Sequence, residues 1–318
     1  MPELKNITAE IEKDGSFKRQ KNRFTTPFGK EEGQLPVEAG RYRILWAPVC
    51  PWAHRSIIVR SLLGLEDVIS VGTLDPVRPE NANDWAFTLD EGNVDPVLGY
   101  HFLSEAYLKA DPDYKGRFTV PAVVDLQTGA VVNNDYFNLT RYWEIEWKEF
   151  HKEGAPDLYP EELRSEIDEM NDILFHEINN GVYKTGFARS QEAYEKNCRL
   201  VFDRLEWLEE RLSHSRYLFG DRITESDVRL YVTLARFDIA YFNGFAANLK
   251  MLKDFPNLWG YARDLYQTPG FGNTTNFEAI KKHYHLCAIS TNPNKILPLG
   301  PDTDIWNTPH GRDRKGGQ

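Results

Sequence analysis

WAPVCPWAHR, residues 46–55, sets one cysteine between an apolar run and a proline. The residues before it, YRILWAP at 42–48, read as a short buried strand. Pro51 to Leu63 reads as a helix, with Trp52, Ile57, Ile58, Val59, Leu62 and Leu63 as its apolar stripe and Gly64 as its stop. Proline suits the first helical position, because its missing N–H would be unpaired there in any case. Cys50 is then the N-cap. Its sulfur faces free backbone N–H groups and the positive end of the helix dipole, a setting that favours the nucleophilic thiolate. Ala53 stands where a C-x-x-C pair would place the second cysteine. No neighbouring thiol can therefore resolve an adduct on Cys50, and a thiol from solution must do so. The competing reading makes Cys50 a small buried hydrophobe at a helix start.

Working outward, DVISVGTLD (67–75) reads as the next strand. Residues 76–118 form a long polar excursion, a length at which loops are often functional. TVPAVVDLQTGAVVNN then reads as two strands, 122–126 and 130–133, joined by a turn at Gly129, and a helix follows at about 137–149. The order is β-α-β, a long loop, then β-β-α. Residues 1–40 are polar and read as an extended N-terminal arm, and 41–150 as an α/β domain. EGAPDLYP (153–160) is a linker by composition. Residues 151–285 form a second, all-helical domain, with helices at 161–180, 190–213, 224–243, 256–267 and 275–285. In ITESDVRLY, Thr224 and Asp227 have the spacing of a reciprocal N-cap, with Asp in place of the usual Glu. Residues 286–318 are a Pro/Asn/Gly-rich C-terminal extension that carries Trp306.

The 318-residue chain is long enough for a real core in each domain, and its hydrophobic fraction of 41% is ordinary for a globular protein. A net charge of −10 argues against general affinity for nucleic acid or anionic membranes. Three cysteines, Cys50, Cys198 and Cys287, make no disulfide framework, which fits a reducing compartment. Cys198 and Cys287 read as structural. No apolar run reaches the length of a membrane span, and the N-terminus lacks a signal-peptide core, so a cytoplasmic location is expected. His54, His283 and His285 lie outside any metal-ligand motif. His283 and His285, two apart, would point to different sides of a helix, so no metal is expected.

CPWAHR (50–55), NNGVYKTGFA (179–188), RYLFGDRITESD (216–227), RFD (236–238), DLYQTPG (264–270) and KKHYH (281–285) occur in this order. Together they resemble the Xi-class glutathione transferases, the glutathionyl-hydroquinone reductases, over about residues 42–300. The resemblance implies a thioredoxin-like N-terminal domain followed by an all-α domain. It implies the reaction of a glutathionyl-hydroquinone with glutathione to give hydroquinone and glutathione disulfide, through a mixed disulfide on Cys50. It implies that Tyr183 exchanges a proton with the aromatic substrate. Tyr241 and Tyr284 help to hold the thiolate and the phenolic substrate, and His283 lines the same pocket. On the thiol side it implies contacts from Trp85, Arg117, Phe118, Thr119 and Val120, with a cis Val120–Pro121 bond. The family dimerises through its helical domain, so a homodimer is expected.

One stretch departs from the family. NNDYFN (133–138) places Asp135 and Tyr136 where the family carries a Glu-Ser pair that holds the γ-glutamyl end of glutathione. Aspartate keeps the charge and is shorter by one methylene, and tyrosine replaces a small hydroxyl with a ring. Two readings stay open here: glutathione binds more weakly, or another low-molecular-weight thiol such as mycothiol replaces it. Two other functional classes also stand beside the reductase. One is an ordinary conjugating transferase, against which a cysteine argues. The other is a non-catalytic thiol- or aromatic-binding module, which has no need of a low-pKa cysteine.

Overall fold

The computed structural model describes residues 10–79, 84–287 and 292–313. Parts of the expected N-terminal arm, the long loop and the C-terminal extension lie outside these residues. The chain divides into two compact units: Glu10 with Arg19–Ala155, and Ile11–Lys18 with the residues from Pro156 onward.

In the first unit, β1 (Tyr42–Trp46), α1 (Pro51–Leu63), β2 (Ile69–Thr73), α2 (Leu103–Ala110), β3 (Ala122–Asp125), β4 (Ala130–Asn133) and α3 (Leu139–Ile145) follow in order. The sheet runs β2-β1-β3-β4, with β1 parallel to β2 and antiparallel to β3. This mixed sheet with its helices is the expected thioredoxin-like architecture. Every residue of β1 is buried, including Arg43, whose guanidinium donates at 2.8 and 3.0 Å to one oxygen of the fully buried Asp95. Pairing of this kind is what makes a charge tolerable in a central strand. α1 has the expected bounds, and Gly64 ends it in the left-handed conformation at φ 75°.

The long loop corrects the sequence reading, because 76–118 contains α2. Its start is set by Glu105, whose carboxylate accepts from the backbone N–H groups of His101 and Phe102 at 2.7 and 2.9 Å. It buries Leu103, Ala106 and Tyr107, and the polar surroundings masked this short apolar face. The helix expected at 137–149 is shorter and continues as a 3-10 turn at Lys148–Phe150. Residues 24 and 25 of the expected arm run along the edge of β4, where Thr25 bridges Asn133 and Asn134 N–H donates to Phe24 O at 2.8 Å. Covering an edge strand in this way removes an aggregation template.

The second unit is helical: α4 (Arg164–Ile173), α5 (Gly181–Gly186), α6 (Gln191–His214), α7 (Glu225–Arg236), α8 (Phe242–Gly244), α9 (Pro256–Gln267) and α10 (Phe277–Leu286). π-Helical turns at Leu174–Asn179 and Phe237–Tyr241 extend α4 and α7. α5 falls between the helices expected at 161–180 and 190–213, and glycine at both of its ends weakens its helical signal. Gly186 serves a close approach instead: a Cβ there would lie 2.3 Å from the ring of Phe245. Trp306 packs inside this unit, 4.9 Å from Trp259 and 5.2 Å from Phe277 between ring centroids. The buried Arg312 donates to the carbonyls of Leu212, Ser215 and Arg216 at the end of α6.

Candidate active site

Cys50 occupies the N-cap of α1 in an extended conformation. Its side chain makes no capping hydrogen bond to the first turn, which differs from the sequence expectation. The thiol instead donates to Val120 O at 3.3 Å. The Val120–Pro121 bond is cis, as expected, and it brings this carbonyl to the sulfur from 70 residues away in sequence.

The segment before the proline is held at alternate carbonyls. Tyr107 Oη donates to Thr119 O at 2.7 Å, and Tyr114 Oη to Arg117 O at 3.0 Å. Phe118 is buried against the rings of Tyr107 and Tyr114. Arg117 is engaged by residues that sequence reasoning passed over: its guanidinium pairs with Glu10 at 2.9 Å, and its N–H donates to Gln20 Oε1 at 2.8 Å. Trp85 is buried, with the Arg78 guanidinium 4.1 Å from its ring centroid, and its backbone N–H donates to Asp84 Oδ1 at 2.7 Å.

Asp135 is buried, and its carboxylate is already engaged. Oδ1 accepts from Phe137 N at 3.2 Å and from Asn22 Nδ2 at 3.3 Å, and Oδ2 accepts from Asn138 Nδ2 at 2.8 Å. The half-buried Tyr136 lays its ring 4.9 Å from that of Trp52, against which Arg19 and Arg55 also stack at 4.6 and 5.0 Å. Burial raises the Tyr136 phenol above its usual range, and the two arginines oppose that rise.

The second unit gathers the three tyrosines singled out in the sequence. Tyr183 Oη lies 2.7 Å from Tyr284 Oη, and Tyr284 Oη lies 3.4 Å from Tyr241 Oη, so Tyr284 is the hub. Tyr241 is fully buried, Tyr183 nearly so, and Tyr284 half-buried. Phe245, also missed, stacks on Tyr241 at 5.2 Å and meets Tyr183 edge-on at 5.2 Å. His283 packs at right angles to Tyr284 at 5.4 Å. Tyr241 belongs to one π-helical turn and Tyr183 follows closely after the other, a feature frequent at functional sites.

Burial, and after it the neighbouring phenols, hold Tyr241 and Tyr284 well above the ordinary tyrosine value, while the buried Arg236 pulls both down. These hydroxyls therefore stay protonated at neutral pH and can donate. The same shift bears on stability. A phenol whose folded pKa exceeds its unfolded value of about 10 contributes fully below that value, and the contribution is lost as pH rises through the folded pKa. Burial also raises Tyr107, Tyr231 and Tyr261, so stability is expected to fall steeply above about pH 10. Denaturant midpoints across pH 7 to 12, with tyrosinate absorbance, check this. Ionisation of all tyrosines without loss of structure would contradict it.

Among the described residues, no group of three His, Cys, Asp or Glu side chains could hold a metal ion. No helix among them is long and apolar enough to cross a membrane.

Two family models match the chain: the glutathione S-transferase N-terminal domain over residues 49–144 and the C-terminal domain over 191–264. Among curated proteins, glutathionyl-hydroquinone reductase YqjG of Escherichia coli K12 is 40% identical, over 90% of this chain and 86% of that protein. The chain belongs to the glutathione transferase family. A glutathione transferase from Gordonia bronchialis is 52% identical with a TM-score of 0.86, over 89% of this chain and 88% of that one. The Xi transferase from Phanerochaete chrysosporium is 41% identical with a TM-score of 0.87, over 92% and 95%. YqjG itself has been solved with glutathione bound; that chain superposes with a TM-score of 0.85 at 38% identity, over 92% of this chain and 96% of that one. The fold and the Xi-class resemblance read from the ordered sequence blocks agree with these relatives.

Proposed function

We propose that this transferase-family protein is a glutathionyl-hydroquinone reductase working through a mixed disulfide on Cys50. The observation that carries the reading is Cys50 at the start of α1, against the Val120 carbonyl before a cis proline, in a chain 40% identical to a reductase of that name. The dipole of α1 stabilises negative charge on the sulfur. The thiolate attacks the sulfur of the aryl thioether. The carbon–sulfur bonding pair passes to the ring carbon, which takes a proton from a phenol of the Tyr183–Tyr284 pair. Hydroquinone leaves and Cys50 carries the glutathionyl group. A glutathione thiolate then attacks that group's sulfur, releasing glutathione disulfide and the Cys50 thiolate. The two sulfurs together lose the two electrons that reduce the ring carbon. Trp85, Arg117–Val120, Asp135 and Tyr136 serve the thiol side, and Tyr241 and His283 serve the aromatic side. The reading includes a homodimer in the reducing cytoplasm.

A second reading keeps the chemistry and changes the thiol to one such as mycothiol. It is favoured by Asp135, whose carboxylate already holds its own turn, and by Tyr136, whose ring covers Trp52. The test is intact mass after mixing the protein with a glutathionyl-hydroquinone and no free thiol. A glutathionyl adduct with free hydroquinone supports the first reading. An adduct only from a mycothiol conjugate supports the second, and no adduct from either turns the case toward a binding module.

A further inference from the structure

The N-terminal arm reaches the backbone that meets the reactive sulfur. Gln20 brackets the peptide of Arg117, accepting from its N–H at 2.8 Å and donating to its carbonyl at 3.3 Å. The same amide nitrogen donates to Tyr114 Oη at 3.1 Å, and that hydroxyl donates to Arg117 O at 3.0 Å. Gln20 N–H in turn donates to Glu10, whose carboxylate pairs with the Arg117 guanidinium at 2.9 Å. The Glu10 side chain is only 8% exposed, so this pair is largely withdrawn from solvent screening. Three residues beyond Arg117, Val120 O accepts from Cys50 Sγ. Two residues of the arm thus fix one end of a four-residue segment whose other end touches the sulfur.

We propose that Glu10 and Gln20 are positioning residues for glutathione, setting the register of Arg117–Val120 against Cys50. The inference rests on the reading of that segment as the thiol site. An extended peptide pairs with a free backbone edge only when that edge is held in one register. Gln20 supplies this by acting as a surrogate strand partner for Arg117. Glu10 supplies it by orienting the guanidinium and by holding Gln20 through its N–H.

The test is the dissociation constant of S-methylglutathione, an unreactive thioether, for the full chain and its Glu10→Gln, Glu10→Asp and Gln20→Ala variants. Turnover of a glutathionyl-hydroquinone and alkylation of Cys50 by iodoacetamide are measured beside it. The expected result is about tenfold weaker binding and a matching rise in KM for Gln20→Ala and Glu10→Gln, with kcat within about twofold. Cys50 alkylation is unchanged, and Glu10→Asp recovers most of the loss. Unchanged binding in both variants overturns the inference. So does a parallel fall in kcat, alkylation and thermal stability, which marks a purely structural arm. Failure of the functional reading looks different: the unmodified chain binds S-methylglutathione and the variants weaken it, yet nothing turns over. No binding by the unmodified chain overturns the inference as a statement about glutathione.

Discussion

Cys50→Ser is expected to lower reductase turnover by about four orders of magnitude or more and to abolish the glutathionyl adduct. Serine fits the same N-cap, and its hydroxyl can still donate to Val120 O, so the fold should not suffer. The chemistry changes because an alkoxide at this place is far harder to form than a thiolate. Attack on a thioether sulfur must also end in a bond stable enough to form. A thiolate gives a disulfide, whereas an alkoxide would give a high-energy sulfenate ester. Steady-state turnover of a glutathionyl-hydroquinone, with circular dichroism to show that the variant is folded, measures the effect. Retention of more than about a tenth of the activity would remove Cys50 from the mechanism. Gain of conjugating activity with an electrophile, alongside loss of reduction, would show that the cysteine separates reduction from conjugation on this scaffold.

Much of the cysteine's setting was legible because it is local. Proline after Cys50 marks the helix start and Gly64 its end, and both rest on backbone sterics within a few residues. The partner of the sulfur lies 70 residues away, and the Tyr183–Tyr284 contact spans 101. No periodicity reports such pairings; the resemblance named Val120 and the tyrosines as site residues but neither contact. Glu10 and Gln20 were missed for the same reason, since each lies about a hundred residues from Arg117 in a stretch that reads as a polar arm. α5 was missed for an opposite reason. Its two terminal glycines leave it little local helix propensity, whereas Gly186 is small so that Phe245 can enter beside Tyr183. Polar composition likewise hid α2, whose start depends on a single carboxylate reaching back to two N–H groups.

The Thr224–Asp227 pair was also local and legible, but its weight was not. Asp227 is fully buried, and its carboxylate accepts four hydrogen bonds. Thr224 N and Oγ1 donate to Oδ2 at 2.8 and 2.9 Å, and Leu218 N and Tyr261 Oη donate to Oδ1 at 3.0 and 2.8 Å. One side chain therefore starts α7, fixes the turn after α6 and anchors α9. Asp227→Ala removes the common acceptor of four buried donors. The expected loss is about 3–5 kcal/mol of unfolding free energy, because each buried donor left unsatisfied costs about 1–3 kcal/mol. Asp227→Asn should lose less, because its amide oxygen keeps one acceptor while its NH2 faces donors. Urea unfolding should show a lower midpoint with an unchanged slope for both variants. A loss under about 1 kcal/mol for Asp227→Ala would mean that the donors find other partners, and that the start of α7 is set by its apolar packing rather than by its cap.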